Sequence, residues 1–271
     1  MPIKIHSKNA AYQKFEVLIS NRNKRHRYGE FIVEGVRNIN EAVKQGWEIN
    51  AFIYDGERRL SDWATAMLKI STGENYALSP VLMNELSGRD EPSELIAIVK
   101  MKNSDTAPLM KSDSPLIVLF DRPSNKGNLG TVIRSCDALG ATGLITTGHC
   151  VDIYEPDVIV SSMGSFFALP FVHLPSAAEI QLFISQMREK HTGFAVYGTT
   201  AHSAKNISEA TMSGPALLMI GNETDGLSRG LKEMCDELLT IPMASTSSAS
   251  SLNVGCAATV LLYEASRQRR L

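Results

Sequence analysis

The chain has 271 residues, of which 44% are hydrophobic and 21% are charged, and its formal net charge is −2. This composition is typical of a globular protein with a sizeable core, and it excludes a disordered or fibrous chain. No apolar run is long enough to cross a bilayer and the N-terminus lacks the pattern of a secretory signal, so we expect a soluble, cytoplasmic protein.

The first 28 residues are strongly basic, with seven Lys and Arg side chains opposed only by Glu16. Such a cluster attracts polyanions, although a solubilising surface explains a basic run equally simply. Residues 12–55 predict a helix, a basic loop, a short strand at 31–33, a second helix and another strand. We expect a small mixed α/β domain over residues 1–102.

A linker is expected at residues 103–114, which are polar, contain a proline and show no periodicity. Beyond it, residues 115–271 alternate between strand and helix patterns. The predicted strands are LIVLFD (116–121), GLITT (143–147), FAVYGTT (194–200) and ALLMIG (216–221), and the predicted helices are 129–139, 176–190, 227–239 and 253–270. Such alternation predicts an α/β fold with a mostly parallel sheet, covered by helices on both faces.

Three loops are candidates for a functional site, because ligands of parallel sheets usually bind beyond the carboxyl ends of the strands. They are residues 121–130, residues 221–226 and the Ser-rich stretch IPMASTSSASSLNVG, residues 241–255. Composition alone would make the middle of the Ser-rich stretch a flexible linker. Its position between a short apolar run and the last predicted helix raises the alternative that it belongs to a site.

Several catalytic motifs fail. Residues 226–230 match the GxSxG motif of esterases, but Ser228 does not directly follow a predicted strand and no histidine comes after it in the chain. A P-loop, a GxGxxG fingerprint and an HExxH motif are absent from the sequence. Four widely spaced cysteines form no C-x-x-C pair, so we expect reduced core residues at Cys136, Cys150, Cys235 and Cys256.

The three loops nevertheless carry a distinctive set of residues. They are DRPSNKGNLGTVIRS (121–135), IGNETDGL (220–227) and IPM (241–243) leading to SLNV (251–254). In order and content they resemble motifs 1, 2 and 3 of the SpoU (TrmH) branch of the SPOUT RNA methyltransferases. More loosely, residues 8–100 resemble the ribosomal-protein-like RNA-binding domain that precedes the catalytic domain in many members.

The resemblance implies a homodimeric α/β enzyme whose C-terminal segment forms a deep trefoil knot, a feature that general topology rules disfavour. It also implies that S-adenosylmethionine binds at the knot, that no metal is required and that the product is an RNA methylated on a ribose 2'-OH. Ribosomal RNA is the expected substrate, with tRNA as an alternative. A catalytically inactive RNA-binding protein is a further alternative, because Ala244 and Ser245 stand where many members have a glycine after Ile-Pro-Met.

The family's motifs assign catalytic roles to five positions. Arg134 is similar to the motif 1 arginine that contacts the target phosphate and 2'-OH, and since a guanidinium is almost never deprotonated we expect it to stabilise developing negative charge. Asn128 matches the motif 1 asparagine, with a helix N-cap as its alternative role. Glu223 resembles the motif 2 glutamate that holds the arginine or the substrate, and Ser251 and Asn253 match the serine and asparagine of motif 3.

Cofactor contacts in this family come largely from backbone atoms, and the corresponding positions are Thr199, Gly221, Ile241 and Leu252. A glycine at a strand end permits close approach of a ligand to the backbone, whereas Ile241 and Leu252 could equally be core residues. RNA contacts are expected from four basic residues interleaved with His26 and Tyr28, which suit phosphate binding and base stacking. The four are Arg22, Lys24, Arg25 and Arg27.

Overall fold

The computed structural model describes residues 2–88, 91–201 and 205–270. Contacts divide the chain into two compact units, one of residues 1–103 with 152–167 and one of residues 104–151 with 168–271. The sequence indicated a single break at 103–114 and did not reveal that residues 152–167 pack with the first unit. Alternating strand and helix patterns carry no signal for such an excursion, because a short buried helix looks the same whichever core receives it.

The first unit contains a mixed five-stranded sheet. Its elements in chain order are β1 (Ile3–Ile5), α1 (Ala10–Ser20), α2 (Arg22–Tyr28), β2 (Glu30–Glu34), α3 (Val36–Lys44), β3 (Ile49–Asp55), α4 (Asp62–Met67), β4 (Tyr76–Leu78), α5 (Pro80–Ser87) and β5 (Ile96–Lys100). The strand order is β1-β4-β3-β5-β2, in which β4 pairs parallel with β1 and β3 while β5 pairs antiparallel with β3 and β2. A small mixed α/β fold is therefore confirmed for this part of the chain.

The basic segment predicted as a loop is in fact the helix α2. Its start is capped by Asn21, whose side-chain oxygen accepts a hydrogen bond from the Lys24 amide at 3.1 Å. Its end is Gly29, which adopts the left-handed conformation with φ of 64° that commonly terminates helices. The two capping residues are a helix signal that outweighs the lack of apolar periodicity between them.

The second unit is built on a seven-stranded sheet in which every described pair of neighbours is parallel. Its elements are a 3₁₀ helix (Ala107–Met110), β6 (Leu116–Phe120), α6 (Lys126–Ala138), β7 (Gly143–Thr147), β8 (Phe171–Leu174), α9 (Ala177–Lys190), β9 (Ala195–Thr199), β10 (Lys205–Asn206), a 3₁₀ helix (Ile207–Glu209), β11 (Ala216–Ile220), α10 (Arg229–Glu233), β12 (Glu237–Thr240) and α11 (Val254–Arg269). Two further helices, α7 (Pro156–Ser162) and α8 (Ser165–Ala168), lie in the excursion or at its end. The prediction of a mostly parallel α/β sheet is confirmed.

One predicted helix is wrong in its second half. Helix α10 covers only Arg229–Glu233, and Glu237–Thr240 forms β12, which pairs in parallel with β9. Leu227 and Leu231 face the core at the helical spacing that suggested the longer helix. Strand pairing with β9 decides the conformation of the next segment, and local periodicity does not report such a partner.

The sheet order β10-β12-β9-β11-β6-β7-β8 brings the candidate loops together. Since all these strands run parallel, the segments after β6, β9, β11 and β12 leave the sheet at the same edge. Threading of the C-terminal segment as a knot stays an implication of the family resemblance. In the part of the chain that the structure describes, no helix is long and apolar enough to span a bilayer.

Candidate active site

A cavity of about 490 Å³ lies at the carboxyl edge of the second unit's sheet. All four positions expected to contact a cofactor line it: Thr199, Gly221, Ile241 and Leu252. Apolar side chains contribute much of the wall, namely Ile220, Leu227, Leu239 and Leu261. Its size is typical of small-molecule sites, and its lining combines these apolar walls with polar and charged side chains.

The Ser-rich stretch borders this cavity at both of its ends. Ile241 and Met243 line it at one end, and Ser250–Leu252 line it at the other. Between them the chain is exposed and makes a turn in which the Ser247 amide donates to the Ala244 carbonyl at 2.9 Å. The stretch is therefore a loop over the cavity edge within one unit, and a linker between domains is excluded.

Gly221 is required for a different reason from the one expected. A Cβ at this position would lie 2.4 Å from the carbonyl carbon of Gly226 and the amide nitrogen of Leu227. The close approach is thus made by the protein's own backbone, where the turn of residues 222–226 folds back on the end of β11. Any side chain at Gly221 would push this turn, which also lines the cavity.

Glu223 lies in that turn and accepts hydrogen bonds from the loop after β6. Its carboxylate receives the Ser124 hydroxyl at 2.8 Å, the Ser124 and Asn125 amides at 3.2 and 3.1 Å, and the Asn128 side-chain amide at 3.3 Å. Burial raises the pKa of the Glu223 carboxyl, but hydrogen bonds from its own backbone, Ser124 and Asn128 outweigh burial and leave the pKa lowered. The group is therefore ionised at neutral pH.

Asn128 is not the N-cap of α6. That role belongs to Asn125, whose side-chain oxygen accepts from the Asn128 backbone amide at 2.9 Å. The side chain of Asn128 instead connects two other residues, because it donates to Glu223 and accepts from the side-chain amide of Asn253 at 3.1 Å. The structure thus brings three of the five predicted catalytic residues into one hydrogen-bonded chain.

Asn253 also caps α11. Its side-chain oxygen accepts from the amides of Gly255 at 2.9 Å and Cys256 at 3.4 Å. Close packing of α11 against α6 keeps the two asparagines adjacent, since a Cβ on Gly255 would lie 2.9 Å from the Thr131 methyl group. Farther along both helices, the hydroxyls of Ser135 and Thr259 are 2.7 Å apart.

Arg134 and Ser251 are exposed. Ser251 lines the cavity, whereas Arg134 lies on α6 outside its lining. Over the described ranges Arg134 makes no side-chain hydrogen bond or ion pair, and Glu223 contacts the loop after β6 in place of Arg134. The expectation that Glu223 holds the arginine or the substrate therefore stays a prediction.

The sequence patterns missed the residues that join the motif loops. Asp121, Ser124 and Asn125 were not singled out, yet each bonds to residues 222–228 or caps α6. The signal for Asn125 was present, since Asn before an apolar-periodic run is a common helix cap. Nothing local distinguishes Asp121 or Ser124, because their partners are about a hundred residues away.

Arg25 cannot contact RNA as predicted, because it is fully buried. Its Nε donates to Asp152 at 2.8 Å and its Nη2 to Glu155 at 2.6 Å, while Nη1 donates to the carbonyls of Leu18 and Ile19 at 3.2 and 2.9 Å. The helical period of α2 turns this one basic side chain inward. Arg25 thereby pairs with the acidic segment 152–155 inside the first unit.

The other residues of α2 are more accessible. Arg27, His26 and Tyr28 are exposed, and Arg22 and Lys24 are partly exposed. Lys14 places its ammonium group 5.2 Å from the centre of the Tyr28 ring, which is 47% exposed.

The cysteines were expected to be core residues, but Cys256 is exposed, and only Cys136 and Cys150 of the four cysteines are buried.

Comparison with known proteins places this geometry in a family. Residues 115–263 match the model of the SpoU rRNA Methylase family, and residues 9–97 match the SpoU L30e-like domain. The chain is 45% identical over 267 residues to a 23S rRNA (uridine(2479)-2'-O)-methyltransferase of Streptomyces viridochromogenes, covering 98% of this chain and 92% of the relative. It is 27% identical over 248 residues to the 23S rRNA (guanosine(2553)-2'-O)-methyltransferase RlmP of Bacillus subtilis, covering 90% and 92%.

A solved structure agrees over nearly the whole chain. The SpoU methyltransferase AviRb from Streptomyces viridochromogenes, in complex with the cofactor AdoMet, superposes with a TM-score of 0.91 at 45% identity, covering 97% of this chain and 98% of that one. The fold therefore has a counterpart over nearly the full length of both chains. The chain belongs to the SpoU rRNA methylase family.

Proposed function

We propose that this protein methylates the ribose 2'-OH of one nucleotide in 23S rRNA, with S-adenosylmethionine as the methyl donor and a uridine as the target. The observation that carries the proposal is a cavity lined by the motif 2 and motif 3 loops, to which motif 1 is hydrogen-bonded through Asn128, in a chain 45% identical to a uridine 2'-O-methyltransferase. A guanosine target is less favoured, because the guanosine enzyme RlmP is only 27% identical.

The cavity suits S-adenosylmethionine. Its volume of about 490 Å³ accommodates a nucleoside-sized ligand, and its apolar wall with exposed Thr and Ser groups matches a purine ring and ribose. Thr199, Gly221, Ile241 and Leu252 are the residues that would hold it. The cofactor supplies a methyl group already activated by its sulfonium, so the protein has to align the 2'-OH and assist loss of its proton.

The predicted catalytic residues have different roles in this reaction. Arg134 projects an exposed guanidinium that has no side-chain partner in the described ranges, which suits stabilisation of the developing alkoxide and of the neighbouring phosphate. Glu223, Asn128 and Asn253 form a hydrogen-bonded chain that sets the position of α6 relative to α11. Ser251, on the cavity rim, is the remaining motif residue available to a substrate.

RNA binding is assigned to the exposed face of α2. Lys24 and Arg27 supply positive charge for phosphates, and Tyr28 presents an exposed ring on which a base can stack. Arg22 adds charge at the start of the helix. Arg25 is excluded from this surface by its burial.

A homodimer in the cytoplasm is the proposed state of the enzyme. Helix α11 exposes Val260 (37%) and Tyr263 (60%), which lie one turn apart on the same helix face, so this face offers apolar surface to a second copy. Tyr263→Glu should then convert a dimer to a monomer in light scattering. A wild-type protein that is monomeric at micromolar concentration would refute the proposed state.

The test of function combines calorimetry and ribose-methylation mapping. Titration with S-adenosylmethionine should give saturable binding, and incubation with undermethylated 23S rRNA should methylate one uridine. Methylation of a guanosine or of tRNA would correct the target. Absence of cofactor binding would refute the enzyme and favour the alternative of an RNA-binding protein that has lost catalysis.

A further inference from the structure

Arg122, directly after β6, has an unusual backbone conformation for a residue with a side chain. Its φ is 47°, and among the described residues Met163 is the only other non-glycine with positive φ. This left-handed conformation is unfavourable for residues with a Cβ, so it persists only where surrounding contacts impose it. The contacts of Arg122 therefore hold its backbone in this conformation.

The side chain of Arg122 lies across the motif 2 turn. Its Nε and Nη2 donate to the two carboxylate oxygens of Asp121 at 3.0 and 3.1 Å. Nη2 also donates to the Gly226 carbonyl at 3.2 Å, and Nη1 is 3.6 Å from an oxygen of Asp225. One guanidinium thus joins the end of β6 to the last two residues of the turn.

The backbone of Arg122 holds the other end of the same turn. Its carbonyl accepts the side-chain amide of Asn222 at 2.7 Å, and the oxygen of that side chain accepts the amides of Thr224 and Asp225. Asn222 and Gly226 also exchange two backbone hydrogen bonds, each 3.1 Å long. Arg122 consequently contacts the first and last residues of a closed five-residue turn.

Two neighbours keep the guanidinium in this place. Asp121 is buried and anchored by the Thr147 hydroxyl at 2.8 Å and the Ser228 amide at 2.9 Å. Gly148 makes room for the side chain, because a Cβ there would lie 2.7 Å from Cγ of Arg122. The arrangement is therefore built from three separate segments of the unit.

Residues 222–227 all line the cavity, whereas Arg122 does not. We propose that Arg122 is a positioning residue for S-adenosylmethionine binding, which acts by clamping both ends of the motif 2 turn against the cofactor cavity. The inference rests on the proposed function. It assigns the role to a residue outside the cavity, acting through Asn222, Asp225 and Gly226.

Arg122→Gly tests the clamp without adding backbone strain. Glycine accepts positive φ readily, so relief of backbone strain partly offsets the loss of the side-chain contacts to Asp121, Asp225 and Gly226. We expect its Kd for S-adenosylmethionine in calorimetry to rise about tenfold, as for loss of one charge-assisted hydrogen bond. In methyl-transfer assays KM for the cofactor should rise more than kcat falls.

Arg229→Ala is the matched control, since Arg229 is exposed in the same unit and, among the described residues, pairs only with Glu233 on its own helix. It should bind the cofactor as the wild type does. If Arg122→Gly binds with unchanged Kd, the inference is wrong while the proposed function stands. If the wild type itself binds no cofactor, the proposed function fails.

Arg122→Lys is the second test of the role of Arg122, for use if the glycine variant melts well below the wild type. It retains the charge and the Cβ but cannot bridge Asp121 and Gly226 with a planar fork. A wild-type melting temperature with weakened cofactor affinity supports the clamp. Wild-type affinity in the lysine variant overturns it.

Discussion

The side-chain amide of Asn253 donates to the side-chain oxygen of Asn128 across 3.1 Å, joining the start of α11 to the first turn of α6. Asn128 continues the chain by donating to Glu223 in the motif 2 turn. Each of the three motifs therefore contributes one residue to a single hydrogen-bonded series. A substitution at either end of the series should therefore alter the positions of all three loops.

Asn253→Ala removes both a helix cap and this link. Loss of an N-cap costs about 1 kcal/mol of unfolding free energy, which corresponds to a fall in melting temperature of about 2–4 °C for a chain of this size. Asn253→Ser retains a capping oxygen but has no amide to donate to Asn128. We expect the serine variant to melt near the wild type in calorimetry and yet to lose methyl-transfer activity. Equal activity in Asn253→Ser and wild type would show that the link is dispensable.

Arg134→Ala should reduce methyl transfer by about 10²–10³-fold, since one group that stabilises an oxyanion commonly contributes that much. Its exposure and lack of a side-chain partner in the described ranges predict an unchanged melting temperature. Because Arg134 lies outside the cavity lining, the Kd for S-adenosylmethionine should also be unchanged. Activity within a few fold of wild type would contradict its catalytic assignment.

Glu223 gives a pH dependence with a defined sign. The pKa of its carboxyl is lowered in the folded protein from a usual value of 4.5, so the ionised group contributes stability above that pH. The contribution disappears as the pH falls through the lowered pKa. The difference in melting temperature between wild type and Glu223→Gln should therefore be constant from pH 6 to 8 and shrink below about 4.5. A difference that persists unchanged at pH 3 would rule out this origin.

Neighbouring basic residues of α2 should behave in opposite ways. Arg25→Ala removes the buried guanidinium that pairs with Asp152 and Glu155 and should lower the unfolding free energy by about 3–5 kcal/mol, measured by urea denaturation. The double variant Lys24→Ala/Arg27→Ala should fold normally but bind RNA more weakly. Its slope of log affinity against log salt should fall in magnitude by about 1.5, as for two lost phosphate contacts. An unchanged slope would remove α2 from the RNA surface.

Local patterns determined much of this protein. Buried parallel strands are continuous apolar runs, so Leu116–Phe120, Gly143–Thr147 and Ala216–Ile220 were identified closely from sequence. Because parallel strands end at one edge, the polar loops after them could be expected to form a site, and four predicted cofactor positions do line one cavity. Periodicity and loop content suffice for such features because each is encoded within about ten residues.

Only the tertiary structure decided the features that depend on distant partners. It turned Arg25 inward to Asp152, made a strand of Glu237–Thr240 beside β9, and placed Arg122 across a turn a hundred residues away. It also showed why residue 221 is a glycine, since the backbone of Gly226 and Leu227 leaves no room for a side chain there. A side chain's hydrogen-bond and ion-pair partners are set by three-dimensional packing, and no periodicity along the chain reports them.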